Sequence, residues 1–232
     1  MTQVLAGLMD GLIDDVRADP GVAGLILTGS HARGMATARS DVDAYVVLEN
    51  PGTWRPASEI PRLDLWVFTV RELADVSDPW QRYAYRGARV LHDRLDGRIT
   101  ELVRRQGTLS ADEAGVLARE QLDGYINFVY RAVKDRRDGR LDLARLEEMD
   151  ASGWFLGALF AMFGRVRPYN KYLRWELDHH PLPDPWTADF VIAGLGERPS
   201  KLFGDLERLA RSRGFGDVFD QWPQLDLIRG AR

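Results

Sequence analysis

The sequence of 232 residues contains no cysteine at all. Disulfide frameworks and thiolate metal sites are therefore excluded, and the absence fits a reducing compartment, so we expect a cytoplasmic protein. Histidine is also scarce, and the four histidines do not show a metal-binding pattern. His179 and His180 are adjacent and would point apart on a helix, whereas His31 and His92 are isolated in the chain.

Long hydrophobic runs are missing as well. The longest run, residues 154–163, is shorter than the roughly 20 helical residues that a membrane span requires, and it predicts a buried helix. The N-terminal stretch has acidic residues among its apolar ones and lacks the basic region that is typical of a signal peptide. We therefore expect no association with a membrane.

The chain has no excess of basic residues, since 31 Lys and Arg face 35 Asp and Glu and the net charge is -4. Proteins that bind extended nucleic acid usually carry a basic footprint, so extended nucleic acid is not an expected partner. A mildly acidic balance instead tolerates a small cationic substrate. The length leaves room for one large domain or for two small ones that share a cleft.

The hydrophobic pattern changes character near residue 98. Before this point, the periodicity predicts a helix over 2–18, a short helix over 31–36 capped by Ser30, and strands over 22–28, 42–48, 62–70 and 88–92. After it, helices are predicted over 110–137, 141–163, 170–177 and 200–213, and capping boxes begin at Thr69 and Ser110. The expected fold class is α+β, with a small mixed β-sheet domain at 1–98 followed by an α-helical bundle domain at 99–232.

The segment 29–43 concentrates polar residues around two predicted strands. Asp41 and Asp43 open the second strand, and side chains two residues apart on a strand share a face. Two such carboxylates repel each other unless a cation lies between them, and magnesium, which suits oxygen ligands, normally also brings phosphate oxygens. Upstream, Gly29 permits a tight turn, and Ser30 with the short helix can donate hydrogen bonds to phosphate. The segment therefore predicts a site for a nucleoside triphosphate with its metal.

Each half of this pattern is weak by itself. Most Asp-x-Asp pairs simply lie on the solvent-exposed face of a half-exposed strand, and Gly-Ser turns are commoner still. The ordered combination of strand, Gly-Ser, short helix, Ser-Asp-x-Asp and strand favours the functional interpretation.

The segment resembles the signature of the nucleotidyltransferase superfamily related to DNA polymerase β, through Gly29, Ser30, Arg33, Gly34, Ser40, Asp41 and Asp43. The specific resemblance covers about residues 22–70, while the plan of a sheet domain followed by helices looks like the small-molecule branch, the aminoglycoside nucleotidyltransferases. The resemblance implies a magnesium-dependent enzyme that transfers a nucleoside monophosphate, AMP from ATP, to a hydroxyl of a small molecule. An aminoglycoside-like polycation is the implied acceptor and antibiotic resistance the implied role. The implied nucleotide-binding residues include Gly29, Ser30, Arg33 and Ser40.

The family pattern also predicts a third carboxylate on a nearby strand. Asp64 lies within the third predicted strand between apolar neighbours, where a charge is costly to bury unless it is paired or bound to metal. A salt bridge to Arg62 or an exposed strand edge are the structural alternatives, but the first motif favours metal binding. The implied chemistry uses two magnesium ions: Asp41 and Asp43 hold magnesium on the triphosphate, Asp64 helps to activate the attacking hydroxyl, and pyrophosphate leaves.

The helical half offers further candidates. Asp123, Asn127, Tyr130, Lys134 and Arg137 recur at helical spacing and form one polar stripe. This stripe is either a solvated face or the face of a cleft. On a cleft, Lys134 would meet phosphates and Asp123 would bind a cationic substrate.

The segment 168–177 is rich in functional side-chain types. Lys171, Arg174 and Trp175 share a helix face, on which Lys171 is the best candidate for neutralising triphosphate charge. A core tryptophan flanked by surface ions is the structural alternative. The family also uses helical carboxylates as general bases, and spacing does not choose among Glu120, Asp123, Glu148 and Glu176.

Two other functions also fit the sequence. Nucleotidyl transfer to a protein acceptor would use the same site, whereas RNA is disfavoured by the missing basic footprint. A non-catalytic, antitoxin-like nucleotide-binding module is the alternative from another class, against which the full set of acidic residues argues. The sequence does not indicate an oligomeric state.

Overall fold

The computed structural model describes residues 3–230, with side chains from residue 9 onward. The chain divides into a first unit that ends at Thr108 and a second that begins at Leu109. The boundary lies further along the chain than the expected one at 98/99. The reason is a helix at Arg98–Gln106, which buries Ile99 and Val103 in the core of the sheet unit. The functions assigned to the two parts remain predictions.

The first unit has the predicted α+β composition, with four strands and five helices among its described residues. The strands are β1 (Val22–Leu27), β2 (Val42–Leu48), β3 (Leu63–Thr69) and β4 (Arg89–Asp93). The helices are α1 (Gln3–Ala18), α2 (Gly29–Ala32), α3 (Val70–Ala74), α4 (Pro79–Tyr85) and α5 (Arg98–Gln106). Thr2 and the side chains of residues 3–8, which the predicted first helix includes, lie outside the described residues.

The four strands form one mixed sheet in the order β3-β2-β1-β4. β1 is antiparallel to both β2 and β4, whereas β2 and β3 run parallel. The pair Leu27 and Ala44 joins the end of β1 to the start of β2, and the pair Val42 and Leu63 aligns the starts of β2 and β3. The turn after β1 therefore lies at the same end of the sheet as the first residues of β2 and β3.

Both faces of the sheet are covered by apolar packing. Alternate residues of β2, namely Val42, Ala44 and Val46, pack with α1 on one face. Val47 packs on the other face with residues of α3, α4 and α5. β1 lies between the two layers and is buried along its whole length, which explains why its sequence is a continuous apolar run without alternation.

The short helix after β1 differs from its prediction. It covers Gly29–Ala32 and not 31–36, and Thr28 occupies the N-cap position. Ser30 is therefore a buried residue within the helix and not its cap. The Gly29 backbone, with φ of 62°, starts the helix directly at the turn.

The second unit is helical, as predicted. Two long helices, α6 (Ala111–Arg137) and α7 (Leu141–Met162), pack closely enough that the ring of Trp154 lies over the backbone of Gly124. The shorter helices are α8 (Leu173–His179), α9 (Ala188–Glu197), α10 (Phe203–Ser212), α11 (Gly216–Asp220) and α12 (Leu225–Arg229), with 3₁₀ turns at Asn170–Tyr172 and Pro199–Leu202. α9 has no counterpart among the predicted elements, and its two glycines lower its helix propensity.

The predicted capping boxes are present at both helix starts. Thr69 caps α3 together with Glu72, and Ser110 caps α6 together with Glu113. No helix within residues 3–230 is long and apolar enough to cross a membrane.

Tyr125 supplies a pH-dependent part of the stability of the second unit. Its side chain is fully buried, its hydroxyl donates a hydrogen bond to the Pro199 carbonyl at 2.6 Å, and burial raises its pKa well above the ordinary value. The unfolded chain therefore releases this proton first, so the free energy of unfolding should fall above about pH 10, by about 1.4 kcal/mol per pH unit at most. Urea unfolding between pH 9 and 11 should show a smaller fall for Tyr125→Phe than for the wild type. Equal slopes would contradict this assignment.

Candidate active site

The turn after β1 holds a carboxylate directly against its backbone. Gly29 has φ of 62°, in the left-handed region that favours glycine. A Cβ atom at this position would lie only 1.7 Å from Oδ2 of Asp43. The Thr28 N–H donates a hydrogen bond to the Asp43 carbonyl at 2.9 Å, which fixes the end of β1 beside the start of β2. Only glycine permits this close approach.

Asp64 lies beside Asp43 on the neighbouring strand. The two residues are direct partners in the parallel register of β2 and β3, whose strands lie about 4.8 Å apart. Burial raises the pKa of Tyr45, and the charges of Asp43 and Asp64 raise it further, as expected where both carboxylates lie near the phenol. Asp43 is half-buried and Asp64 is exposed. The structure thus brings these two predicted residues together.

Asp41 lies at the same end of the sheet, immediately before β2, and is exposed. Among the residues that the structure describes, no group of three or more histidine, aspartate or glutamate side chains is arranged to hold a metal ion. The predicted set of three carboxylates is therefore not assembled into a closed cage. Magnesium is usually bound through one or two carboxylates with phosphate oxygens and water as its other ligands. Asp41, which is exposed, and Asp43, which is half-buried, are accessible enough to fit a hard cation that arrives with a nucleotide.

Arg33, a predicted nucleotide ligand, is directed into the protein. Its guanidinium donates hydrogen bonds to the carbonyls of Gly29 at 2.8 Å, Tyr83 at 3.0 Å and Ala84 at 3.3 Å, and also to that of Arg86. The side chain is buried, and it also lies over the Tyr83 ring. These contacts favour a structural role, in which Arg33 ties the Gly29 turn to the end of α4.

The two predicted serine ligands differ in their surroundings. Ser30 is buried at the turn, and its carbonyl accepts a hydrogen bond from the Met35 N–H at 2.9 Å. Ser40 closes a local turn in which its hydroxyl accepts a hydrogen bond from the Thr37 N–H at 2.9 Å. Nucleotide binding by either hydroxyl stays a prediction. Nε2 of the neighbouring His31 is buried, and no described residue forms a hydrogen bond with it.

The lysine candidates lie in the second unit, each above an aromatic ring. The Lys134 ammonium is 5.1 Å from the centre of the Tyr130 ring, and that of Lys171 is 5.2 Å from the centre of the Tyr172 ring. Asp123, which is predicted to bind a cationic substrate, accepts a hydrogen bond from the Trp222 indole at 2.9 Å.

The other helical candidates have intramolecular partners. Arg174 pairs with Asp189 at 2.8 Å, and Trp175 stacks on His179 with ring centres 4.9 Å apart. The general-base candidates differ in how accessible their carboxylates are. Glu148 is held by Arg136 through two hydrogen bonds, and Glu176 is fully buried near Arg165. Glu120 is exposed.

Sequence reasoning missed the aromatic residues beside the carboxylates. Tyr45 and Trp66 are register partners two residues after Asp43 and Asp64, so they share the same sheet face. The signal was available, because Asp64, Trp66 and Phe68 alternate along β3 with the apolar residues of the other face.

A groove of about 420 Å³ lies elsewhere on this unit, at the far end of β2 and β3. Its lining includes Leu48, Phe68 and Arg71 but neither Asp43 nor Asp64. The groove and the carboxylate pair therefore do not coincide, and the candidate site is defined by the carboxylates.

The role of Arg33 can be tested by unfolding. Arg33→Met deprives several backbone carbonyls of their donor, and buried polar groups without a partner are costly, so the free energy of unfolding should fall by about 2–4 kcal/mol. Arg39→Met, at an exposed position in the following loop, should change it by less than about 0.5 kcal/mol. Urea denaturation measures both, and a similar small effect of the two substitutions would argue against the clamp.

Comparisons with known proteins give one family match and a similar solved structure. Residues 9–119, slightly less than half of the chain, match the family model of the "Nucleotidyltransferase domain". No curated protein matches the chain. A crystal structure of a nucleotidyltransferase-like protein from Exiguobacterium sibiricum 255-15 is similar over 90% of this chain and 78% of that one, with a TM-score of 0.45 and 14% identity. So distant a likeness carries no argument about the reaction.

The matched segment contains the Gly29 turn, Asp41, Asp43 and Asp64. Residues 9–119 are therefore similar to the nucleotidyltransferase domain over the segment that holds the candidate site.

Proposed function

We propose that this protein transfers a nucleoside monophosphate from a nucleoside triphosphate to a hydroxyl of a small-molecule acceptor, with magnesium as cofactor. The observation that carries the proposal is the Asp43 carboxylate held against the Gly29 turn and in register with Asp64. The proposal is supported by the turn after β1 and by the two carboxylates on the neighbouring strands β2 and β3, all at one end of the sheet. The match of residues 9–119 to the nucleotidyltransferase domain supports the reaction class.

The three aspartates have different surroundings, and we assign them different tasks. Asp43 is half-buried against the turn, and together with the exposed Asp41 it would hold magnesium on the triphosphate. Bound there, the metal would neutralise negative charge on the phosphates. Asp64 is exposed on the outer strand β3, where an acceptor hydroxyl can approach it from solvent.

The reaction is an in-line displacement at the α-phosphorus. The acceptor oxygen forms a new bond to this phosphorus while the bond to the bridging oxygen breaks, and pyrophosphate leaves with the bonding electrons. The hydroxyl proton passes to the Asp64 carboxylate, which acts as the general base. The products are the nucleotidylated acceptor and pyrophosphate.

ATP as the donor and an aminoglycoside-like polycation as the acceptor are the finer parts of the proposal. They follow from the resemblance of the plan, a sheet domain followed by helices, to the aminoglycoside nucleotidyltransferases, and from the mildly acidic chain, which tolerates a cationic substrate. Lys134 and Lys171 are proposed as further phosphate ligands in the second unit. A role in antibiotic resistance would follow from this acceptor class.

The decisive assay follows pyrophosphate release with magnesium and labelled ATP, GTP, CTP or UTP, alone and with an aminoglycoside panel. Asp43→Asn keeps the side-chain shape but removes the charge, and we expect it to lower release at least 100-fold. Glu49→Gln, which alters an exposed carboxylate just beyond the far end of β2, should leave release within twofold. Nucleotide binding without turnover on any acceptor would contradict the proposed enzyme. If added protein becomes labelled and the aminoglycosides do not, the acceptor is a protein.

The contact between the turn and the carboxylate can be tested separately from backbone strain. In Gly29→Ala, the new Cβ would overlap the Asp43 carboxylate, so we expect release to fall about as far as in Asp43→Asn. Gly97→Ala is a matched control, because Gly97 also has a positive φ, of 93°, but its Cβ would meet nothing within 4 Å and it lies outside the signature. Both substitutions should destabilise the fold by about 1–2 kcal/mol, and only Gly29→Ala should abolish release. Equal losses of release would assign the effect to strain.

A further inference from the structure

An aromatic row continues the carboxylate pair along the same face of the sheet. After the pair Asp43 and Asp64, the next partner pair on this face is Tyr45 and Trp66. Trp66 lies on the edge strand β3 and is 53% exposed. A large apolar side chain thus stands in solvent directly beside the candidate site.

The indole of Trp66 is held in place by its neighbours. It lies nearly parallel to the Phe68 ring, with centres 6.4 Å apart and 12° between the planes. Phe68 meets Tyr45 edge-on at 5.3 Å, and Tyr45 meets the buried Tyr85 at 5.5 Å. The row therefore anchors an exposed ring to the core, and a ring fixed in this way loses little entropy when a ligand covers it.

Position distinguishes Trp66 from other exposed apolar residues. Single exposed hydrophobic side chains are ordinary on protein surfaces, and Trp80, 71% exposed on α4, is an example in the same unit. Trp66 differs because it lies in the aromatic row and two residues from Asp64 on one strand face.

The order of the strands indicates which substrate would meet this ring. The candidate phosphate-binding turn follows β1, Asp43 lies on β2, and β3 lies on the other side of β2 from β1. A triphosphate at the turn would therefore occupy the β1 side of Asp43. Asp64 and Trp66 lie on the opposite side, from which the acceptor would approach.

We propose that Trp66 is a specificity-determining residue that stacks on a ring of the acceptor while Asp64 accepts the proton of a hydroxyl on that ring. The inference rests on the proposed function. Two residues along a strand span about 6.6 Å, a distance comparable to the width of a six-membered ring with its substituents. The acceptor therefore presents one flat face of a ring to the indole, and an amino group on that ring adds a cation–π attraction.

The test separates acceptor binding from nucleotide binding. Pyrophosphate release is measured with kanamycin, streptomycin and spectinomycin as ring acceptors, and with glycerol and N-acetylserinamide as ring-free hydroxyls. Trp66→Ala should raise the KM of the ring acceptor at least tenfold and leave the KM of the nucleotide within twofold. Trp66→Phe should recover most of this loss, and Trp80→Ala should change neither constant. Circular dichroism establishes that each variant is folded. If Trp66→Ala is not, Trp66→Leu serves as the test, because leucine keeps an apolar side chain but has no flat ring to stack on the acceptor.

Three results would overturn the inference. A raised nucleotide KM in Trp66→Ala would place the nucleobase on the indole, and an unchanged KM for both substrates in that variant would leave the indole without a role. Turnover of the ring-free hydroxyls by the wild type as fast as that of the ring acceptors would also contradict it. If the wild type turns over none of the acceptors, the result counts against the proposed function and not against the role of Trp66. In that case, saturation-transfer NMR with 2-deoxystreptamine and methyl α-D-glucoside tests the ring directly. Transfer to ring protons that is lost in Trp66→Ala supports the platform, and its absence or persistence in the variant refutes it.

Discussion

The contact between the Asp43 carboxylate and the Gly29 backbone is the constraint on which the candidate site depends. It requires a positive φ at Gly29, the absence of a side chain there, and the pairing of the end of β1 with the start of β2. Apolar packing on both faces of the sheet maintains that pairing, since neither strand can shift by one residue without moving its core residues to the wrong face. The apolar cores thus fix the positions of the polar atoms at the end of the sheet.

Arg33 extends this constraint beyond the sheet. Its guanidinium bonds to the Gly29 carbonyl on one side and to carbonyls at the end of α4 on the other. A buried cation is tolerated because backbone carbonyls supply acceptors in place of water. An arginine within a nucleotide-binding signature can therefore hold the geometry of the turn without reaching the ligand, and its presence in the motif does not by itself distinguish the two roles.

Sequence reasoning succeeded where the signal is local and failed where it depends on pairing. The strands and the long helices follow from periodicities of 2 and 3.6 residues. The shared face of Asp41 and Asp43 stays a prediction, because Asp41 precedes β2. The direction of Arg33 depends on contacts with the end of α4, which is distant in sequence. Likewise, alternation along β3 shows that Asp64 and Trp66 share a face, but only the parallel register with β2 places that face beside Asp43.

The sheet also explains why the polar residues gather at one end. α3, α4 and α5 cover the middle of the face that bears Val47, where Tyr45 and Phe68 are half-buried, but Asp64 at the start of β3 is exposed. Carboxylates are tolerated at this end because water, or a ligand with its counter-ions, can reach them. Along this face of the sheet, buried apolar residues are thus followed by aromatic residues and then, at the end, by accessible carboxylates. A ligand bound at this end would therefore contact a charged region and an aromatic region at once, which requires of it both a polar reactive group and an apolar ring face.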